Sequence, residues 1–243
     1  MKIPETVMVT GHEIDLTVLT GAQKNYFVSL AKHVTDLYLK SGNNRYVIGI
    51  SGYSGSGKSV LASILTELLS NQREFACQMV DLDAFHYSNA VLEEKGLSEV
   101  KGRYDTYDVD KLSQLLDLFK RDKEVVFPWY SREHHEPQVN GPIAYRGNCL
   151  IFLPGLWILR DDPKWNKARG YIDYTISIEG NPEKFKRNTI NRHIRGGRSE
   201  TDAEEFYNNS DSENTAEILN NSVSADLKLP YFEDIKNEEL VFA

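Results

Sequence analysis

A glycine-rich segment with one lysine, GYSGSGKS, occupies residues 52–59 and has the composition of a phosphate-binding loop. It matches G-x-x-x-x-G-K-[ST] and lies between the apolar run Tyr46–Ile50 and the helix-like run Val60–Leu69. Its glycines let main-chain N–H groups converge on phosphate oxygens, and the following helix adds a positive dipole. Lys58 would reach the β- and γ-phosphates and Ser59 would ligate Mg²⁺. The predicted nucleoside triphosphate site comprises Gly52, Ser54, Gly55, Ser56, Gly57, Lys58, Ser59 and Val60.

A second polar cluster, VDLDAFHYSN at residues 80–89, follows another strand-like run. Asp81 and Asp83 are two residues apart and so share one face of an extended chain. Ligands of open parallel sheets bind beyond the carboxyl ends of the strands, where these carboxylates would point towards the phosphates. A carboxylate there can accept a proton from a substrate hydroxyl or position Mg²⁺. The alternative is that both aspartates only end the strand and cap the next helix.

The order of predicted elements indicates which fold would hold these groups. Helical patterns such as Val60–Leu69 and Val109–Arg121 alternate with strand-like runs, which implies βαβ units around a mostly parallel sheet. The predicted strands are Tyr46–Ser51, Phe75–Asp81, Glu124–Phe127, Asn148–Leu153 and Tyr171–Ile178, with Ala225–Leu229 as a candidate last strand. The fold class is therefore α/β.

An extension of about 40 residues precedes this core. Thr6–Val9 and Ile14–Val18 predict a hairpin about Gly11-His12, and apolar residues at helical spacing over 26–38 predict a helix. The extension would cover a sheet edge or form a homodimer contact. We expect one domain over residues 1–243, with the extension at 1–41, the core at 42–232 and an acidic tail at 233–243.

Composition and charge exclude several classes of protein. The chain is 40% hydrophobic and 26% charged, and no apolar run approaches the ~20 residues of a membrane span. Since no signal-peptide pattern opens the chain either, we expect a cytoplasmic protein without a membrane partner. The net charge of −8 argues against nucleic acid as a partner. Cys77 and Cys149 lie in strand-like runs, which favours buried, reduced thiols.

The phosphate loop alone does not decide the reaction, because GTPases, motor ATPases and small-molecule kinases share it. GTPases are known for an Asn-Lys-x-Asp motif that reads the base. The only Asn-Lys pair in this chain, Asn166-Lys167, is followed by Ala168-Arg169. This argues against a GTPase.

The order of motifs resembles that of the phosphoribulokinase, uridine kinase and pantothenate kinase family of P-loop kinases. Residues 52–59 are followed by Asp83-Ala84-Phe85-His86, by TYD at 106–108 and by PWYSREHH at 128–135. Six segments are similar, in their order and spacing, to those of a bacterial branch named for fructose transport systems or for nucleoside and nucleotide kinases. They are LDAFHYSN, KGRYDTYDV, PWYSREHHEP, HIRGGR, EEFYNNSD and SADL. The resemblance spans nearly the whole chain. It implies a three-layer P-loop NTPase fold with a helical lid, and ATP and Mg²⁺ as cofactors.

The resemblance also implies roles for single residues. Asp83 matches the general base that acts on the acceptor hydroxyl. Residues that match the family's acceptor pocket are Phe85, His86, Tyr87, Asp108, Tyr130 and His135, together with Asp83. The segment at about 184–200 resembles the family's lid, which closes over the transferring phosphoryl group. Its cations are Lys186, Arg187, Arg192, Arg195 and Arg198. Arg192, with Lys58 and Asp83, is expected to be catalytic, and Arg195 and Arg198 are expected to bind the nucleotide.

Three positions depart from the family pattern. Pro154-Gly155 stands where relatives usually carry Glu-Gly, and that glutamate helps to arrange Mg²⁺. Asp81 is expected to supply the missing charge to the metal, because it would emerge from the neighbouring strand. Ser131 replaces an aspartate that commonly follows the pocket tyrosine, and Asn188 stands where the branch often has a lid arginine.

Two functions remain open. The first is a kinase that moves the γ-phosphoryl group of ATP to a hydroxyl of a small metabolite. By resemblance the acceptor is a sugar or nucleoside, with a pantothenate-type acceptor as the alternative. The second is a nucleotide-binding regulator that has lost transfer through the change at Pro154. The retained Asp83, Tyr130, His135 and lid cations favour the kinase, because a pure binding module needs none of them.

Overall fold

The computed structural model describes residues 1–9 and 11–236. Its helices and strands are, in chain order, β1 (Thr6–Val9), β2 (His12–Asp15), α1 (Gly21–Ser41), β3 (Arg45–Gly52), α2 (Lys58–Leu69), β4 (Ala76–Met79), α3 (Asn89–Glu94), α4 (Val109–Lys120), β5 (Val125–Val126), β6 (Trp129–Ser131), β7 (Glu136–Gln138), β8 (Ile143–Ala144), β9 (Cys149–Pro154), α5 (Pro163–Arg169), β10 (Tyr174–Glu179), α6 (Pro182–Arg195), α7 (Glu200–Phe206), α8 (Ser212–Asn220) and β11 (Leu227–Pro230).

The central sheet has five parallel strands in the order β11-β10-β3-β9-β4. β3 lies in the middle, with Ile50 paired to Ile176 on one side and Pro154 on the other. The carboxyl ends of all five strands therefore meet at one edge of the sheet, where ligands of such folds bind. The predicted α/β class with a parallel sheet is confirmed.

Side-chain alternation along the strands separates two layers of helices. Ile48 and Ile50 of β3 join a core with α1 and α2, whereas Val47 joins the opposite core with α4 and α5. Successive residues of a strand point to opposite faces, so each buried strand serves both cores. The predicted three-layer arrangement is confirmed.

One predicted core strand is wrong. Residues 124–127 supply only β5, which pairs antiparallel with β8 outside the central sheet. Val126 is 44% exposed, whereas a central parallel strand is covered on both faces. The chain then continues into the β6–β7 hairpin. This departure places the segment PWYSREHH on the hairpin.

The N-terminal extension forms the predicted hairpin and helix, with a shifted second strand. β2 ends at Asp15 instead of reaching Val18, because the Asp15 carboxylate accepts hydrogen bonds from the N–H and hydroxyl of Thr17 and turns the chain. Val7 and Val9 are buried and belong to the core that α1 and α2 form. The hairpin makes its own sheet and packs on α2. The Tyr26 hydroxyl of α1 donates to the Pro230 carbonyl of the edge strand β11 at 3.4 Å, so the extension contacts a sheet edge, and its role as a cover stays a prediction. The homodimer contact stays a prediction.

The start of the acidic tail is attached to α6. Lys184 Nζ lies 3.1 Å from a Glu233 oxygen and 2.9 Å from an Asp234 oxygen. The rest of the predicted tail, residues 237–243, lies outside the described residues. Within residues 1–9 and 11–236, no helix is both long and apolar enough to cross a membrane.

Candidate active site

The glycine-rich loop connects the central strand β3 to α2. Gly55 and Gly57 have φ angles of 75° and 84°, which side chains rarely adopt, and this allows the loop to turn back on itself. α2 begins at Lys58, and no side chain of the described residues caps this end. The first N–H groups of α2 therefore point out of the helix without helical partners. This is the geometry of an anion cradle.

The Lys58 ammonium lies inside the loop. Its Nζ donates to the carbonyl oxygens of Gly52 and Tyr53, both at 2.7 Å. Burial lowers the pKa of Lys58 to about 7, since enclosure disfavours the charged form. Arg192 also lowers this pKa, while Asp83 and Asp81 raise it. Lys58, the two aspartates and a lid arginine therefore share one electrostatic neighbourhood.

The loop fits the phosphates that its sequence predicts. Ser56 Oγ is buried and, among the described residues, has no hydrogen-bond partner. A hydroxyl in that state, beside unpaired helix N–H groups, suits an anionic ligand. The main chain of residues 55–60 and Lys58 would hold the phosphates.

Ser59 and Asp81 would hold Mg²⁺. A nucleotide-bound Mg²⁺ takes one or two protein ligands and completes its shell with phosphates and water, so these two oxygen ligands would be enough. In the described part of the chain, no three His, Cys, Asp or Glu side chains are grouped to bind a metal.

Asp81 and Asp83 flank the start of a 3₁₀ turn, Leu82–Phe85, directly after β4. Asp81 Oδ1 accepts from the Asp83 N–H at 3.0 Å, so the capping alternative is also realised. Burial and the charge of Asp83 raise the pKa of Asp81. Burial acts to raise the pKa of Asp83 as well, but Arg132 beside it brings that pKa below its usual value. Arg132 therefore favours the ionised form of Asp83 more strongly than that of Asp81.

Arg132 is a site residue that sequence reasoning missed. Its Nη2 donates to Asp83 Oδ2 at 2.7 Å and lies 3.9 Å from Asp81 Oδ2. The residue lies in the turn that follows β6, and its guanidinium lies 4.9 Å from the centroid of the Tyr130 ring. A signal was present, because Arg132 lies two residues after Tyr130, inside the PWYSREHH segment that predicted acceptor contacts.

An aromatic wall lies beside Asp83. His86 and Tyr107 form an isolated β-bridge, their rings lie 3.9 Å apart, and the Tyr107 hydroxyl donates to Asp83 Oδ1 at 3.3 Å. The Tyr130 ring lies 5.6 Å from that of His86, and Phe85 is buried below. The structure thus brings the predicted Phe85, His86 and Tyr130 together, and adds Tyr107.

Three predicted acceptor residues make other contacts. The Asp108 carboxylate caps α4 by accepting from the Lys111 N–H at 2.9 Å. Tyr87 stacks under Lys95, whose Nζ lies 5.2 Å from its ring centroid. His135 is exposed in the β6–β7 turn with a φ of 51°, and its carbonyl accepts from Lys101. Their predicted contacts with an acceptor stay predictions.

The predicted lid is helix α6 with the residues that follow it. Arg192 Nη2 donates to Ser54 Oγ at 2.9 Å and lies 3.8 Å from Asp211 Oδ1. Asp211, which is 8% exposed, also contacts His193 Nε2 at 2.8 Å. Asp211 ends a short π-helical turn between α7 and α8. It is a second residue that sequence reasoning did not assign.

The other lid cations point elsewhere. Arg198 lies 4.1 Å from the centroid of Phe206 and Lys186 Nζ lies 5.3 Å from that of Tyr207. Arg187 and Arg195 are on α6, and Arg195 is exposed in its last turn. The nucleotide contacts predicted for Arg195 and Arg198 stay predictions.

Helix α6 also rests on the phosphate loop. Asn188 Nδ2 donates to the Gly55 carbonyl at 3.0 Å and lies 3.2 Å from the Tyr231 hydroxyl. A Cβ on Gly55 would lie 2.4 Å from the Phe185 carbonyl oxygen and 2.6 Å from Thr189 Oγ1. The loop and the lid are therefore in direct contact, and Asn188 fastens them.

The fold and this site define a P-loop protein in which a lid and a pair of aspartates face the loop. Residues 47–233 match the family model described as "Phosphoribulokinase / Uridine kinase family". The match covers most of the chain, and the chain belongs to this family of P-loop kinases. The family that the order of motifs predicted is confirmed.

Two curated relatives are similar to this chain. The uncharacterized protein YggC of Escherichia coli (strain K12) is 30% identical over 233 residues, which cover 93% of this chain and 94% of YggC. A pantothenate kinase of Photorhabdus laumondii is 32% identical over 148 residues, which are 58% of this chain and 46% of that protein. The chain thus matches about half the length of that kinase.

A solved structure shares the fold. A Silicibacter sp. TM1040 protein described as a candidate fructose transport system kinase superposes with a TM-score of 0.74 and 24% identity. The match covers 84% of this chain and 98% of that one. It supports the fold with its parallel sheet and lid.

Proposed function

We propose that the chain is an ATP- and Mg²⁺-dependent kinase that phosphorylates a hydroxyl of a small metabolite. The observation that carries this is the shared neighbourhood of the Lys58 ammonium and the Asp83 carboxylate at the sheet edge. A module that only binds nucleotide needs the lysine but not a carboxylate directed at an acceptor. The resemblance to relatives favours a sugar or a nucleoside as the acceptor, with a pantothenate-type acceptor as the alternative.

Each group has a part in the transfer. The loop N–H groups and Lys58 bind the phosphates, and bound Mg²⁺ would neutralise charge between them. Asp83 orients the acceptor hydroxyl and takes its proton, and a carboxylate in this role contributes typically 10²–10⁴-fold. Arg192 approaches from the lid and stabilises charge on the transferring group, while the closed lid excludes water.

The test is ADP release from Mg·ATP with sugars, nucleosides and pantothenate as acceptors, for wild type and Asp83→Asn. Asparagine keeps the shape of the side chain but cannot take a proton. We expect acceptor-dependent ADP release to fall by about 10²–10⁴-fold, with nucleotide affinity retained. Asp105→Asn is the matched control, because Asp105 pairs with Arg103 and not with the site.

The change at Pro154 favours the second candidate, a nucleotide-binding regulator. Pro154 ends β9 beside the loop strand and offers no metal ligand. Tight Mg·ATP binding with no acceptor-dependent ADP release would support the regulator over the kinase. The homodimer predicted from the extension is a separate proposal, and sedimentation of the whole chain tests it.

A further inference from the structure

Each oxygen of the Asp83 carboxylate already accepts one hydrogen bond, out of the two that a carboxylate oxygen can accept. Oδ2 accepts from Arg132 at 2.7 Å and Oδ1 accepts from the Tyr107 hydroxyl at 3.3 Å. An acceptor hydroxyl that donates to this carboxylate must therefore share or displace one of these donors. The guanidinium is the one that can move, because the Arg132 side chain is 46% exposed, whereas Tyr107 is buried.

Lys101 is a second cation beside the aromatic wall that His86, Tyr107 and Tyr130 form. Lys101 Nζ lies 5.8 Å from the centroid of the Tyr130 ring, against 4.9 Å for the Arg132 guanidinium. Lys101 donates to Asn89 Oδ1 and to the His135 carbonyl, which are both neutral. Among the described residues, no carboxylate lies within ion-pair distance of it. Glu136 acts on Lys101 from a longer distance, so the charge of Lys101 is offset in part but is not neutralised by a direct ion pair.

Two cations on the acceptor wall are a local feature, because the chain as a whole carries a net charge of −8. Hydroxyls and amides of a neutral sugar or nucleoside need only neutral or acidic partners. An arginine fork matches the geometry of a carboxylate or a phosphate, and Lys101 adds a second positive charge at the same aromatic ring. The pairing of Arg132 with Asp83 does not oppose this, because half-exposed ion pairs are weak and a ligand anion can compete for the guanidinium.

On the basis of the proposed kinase function, we propose that the acceptor is an anion: a small hydroxy compound that carries a carboxylate or a phosphate and is bound by Arg132, while Lys101 adds positive charge at the Tyr130 ring. The ligand anion takes the guanidinium from Asp83, and the freed carboxylate oxygen receives the acceptor hydroxyl. The hydroxyl proton passes to Asp83 as the acceptor oxygen bonds to the γ-phosphorus. The bond from that phosphorus to the β–γ bridging oxygen breaks, and ADP leaves with the electron pair.

This arrangement favours acceptors that carry a negative charge. A neutral acceptor leaves Arg132 on Asp83, so its hydroxyl has to share the carboxylate with the guanidinium. An anionic acceptor of the same shape gains a charge-assisted contact and releases the carboxylate in the same step. The structure therefore predicts discrimination between compounds that differ only in an anionic group.

The experiment uses acceptor pairs matched in shape: glycerol with glycerate, ribose with ribose 5-phosphate, and fructose with fructose 6-phosphate. ADP release is measured for wild type, Arg132→Gln and Arg132→Lys, with Arg121→Gln as control, since Arg121 pairs with Asp117 on α4. We expect wild-type kcat/KM to favour one anionic member by at least about 10- to 100-fold. Arg132→Gln should remove this preference, mainly through KM, and Arg132→Lys should keep part of it. The carboxylate and phosphate pairs show which anion is bound.

Equal use of neutral and anionic members by wild type would overturn the proposal, and so would an equal loss for both in Arg132→Gln. Calorimetry separates this result from a failure of the kinase function. Glycerate and ribose 5-phosphate are titrated with a non-hydrolysable ATP analogue present, so that the phosphate loop is filled. Arg132-dependent binding without ADP release supports the anion site and contradicts the kinase. Absent binding, or binding that Arg132→Gln leaves unchanged, contradicts the anion site.

Discussion

Arg192 of the lid helix donates to the hydroxyl of Ser54 in the phosphate loop, with Nη2 and Oγ 2.9 Å apart. Asp211 stands behind this contact, 3.8 Å from the same Nη2, and its other oxygen contacts His193. Two neighbouring residues of α6 are thus held by one nearly buried carboxylate on another element. The position of Arg192 over the loop therefore depends on Asp211 as well as on Ser54.

The first prediction concerns this carboxylate. Asp211→Asn should lower kcat by about 10-fold, because Arg192 loses the charge that directs it to the loop. The KM of the acceptor should change little, since Asp211 lies on the lid side. Steady-state kinetics with each substrate varied provide the measurement. Asp117→Asn on α4 is the matched control, and a lowered melting temperature with unchanged kcat would reduce Asp211 to a packing residue.

The second prediction concerns the loop lysine. Lys58→Met should lower kcat by about 10²–10³-fold, because one preorganised cation on the phosphates is removed. The carbonyls of Gly52 and Tyr53 also lose their donor, so the loop should become less ordered. Kinetics and hydrogen exchange of residues 52–57 check both effects. Lys111→Met, on the exposed face of α4, should match wild type, and activity within about threefold of wild type in Lys58→Met would contradict the assignment.

The third prediction concerns Asp81 and the metal. Asp81→Asn keeps an oxygen for the Asp83 N–H but removes the charge. If Asp81 replaces the glutamate that Pro154 displaces, the Mg²⁺ concentration for half-maximal turnover should rise by about 10-fold or more. A titration of Mg²⁺ at fixed ATP measures this, with Asp110→Asn as control. An unchanged requirement would leave Asp81 with only its capping role.

The fourth prediction concerns pH and His86. Burial lowers the pKa of His86 below its ordinary value of 6.5, although Asp83 acts to raise it. The Nδ1 atom lies 2.9 Å from the Asp83 carbonyl oxygen, which can only accept, so this nitrogen carries the proton of the neutral ring. The charged and titratable groups that face the ring are Asp83, Lys101, Tyr107, Tyr130 and Arg132.

The sign follows from proton uptake. Below about pH 6.5 the unfolded chain binds a proton at His86 that the folded state excludes, so the free energy of unfolding falls as the pH falls. The slope from this residue approaches about 1.4 kcal/mol per pH unit. Urea unfolding at pH 7.5, 6.5 and 5.5 should show a shallower dependence in His86→Gln. The exposed-hairpin control His12→Gln should keep the wild-type slope, and identical slopes in wild type and His86→Gln would refute the prediction.

The loop was predictable because its chemistry is contiguous in sequence. Residues 52–59 carry both the backbone freedom and the lysine, and the flanking strand and helix follow from apolar periodicity. The contact of Arg132 with Asp83 depends instead on how the β6–β7 hairpin folds over the end of β4, across 49 residues of chain. Local patterns do not contain that register.

Short apolar runs explain the one wrong core strand. Residues 124–127 have the composition of a buried strand, but tertiary pairing with β8 decided their place. The TYD motif shows a similar limit. Sequence reasoning assigned its aspartate to the acceptor site, whereas the structure brings its tyrosine there. The bridge between His86 and Tyr107 brings the Tyr107 hydroxyl to Asp83, while Asp108 begins α4.

Gly55 is the point at which the lid helix α6 rests on the phosphate loop. The space that a Cβ would need there is filled by the main chain of Phe185 and the hydroxyl of Thr189, so no gap separates α6 from the loop at this point. If α6 rotates as a rigid helix, this contact is the point about which it turns. Arg192 and Arg195 lie beyond the pivot, at about 1.5 Å of helix rise per residue, and form the lever arm. A small rotation at Gly55 is thereby amplified into a larger displacement of the arginines.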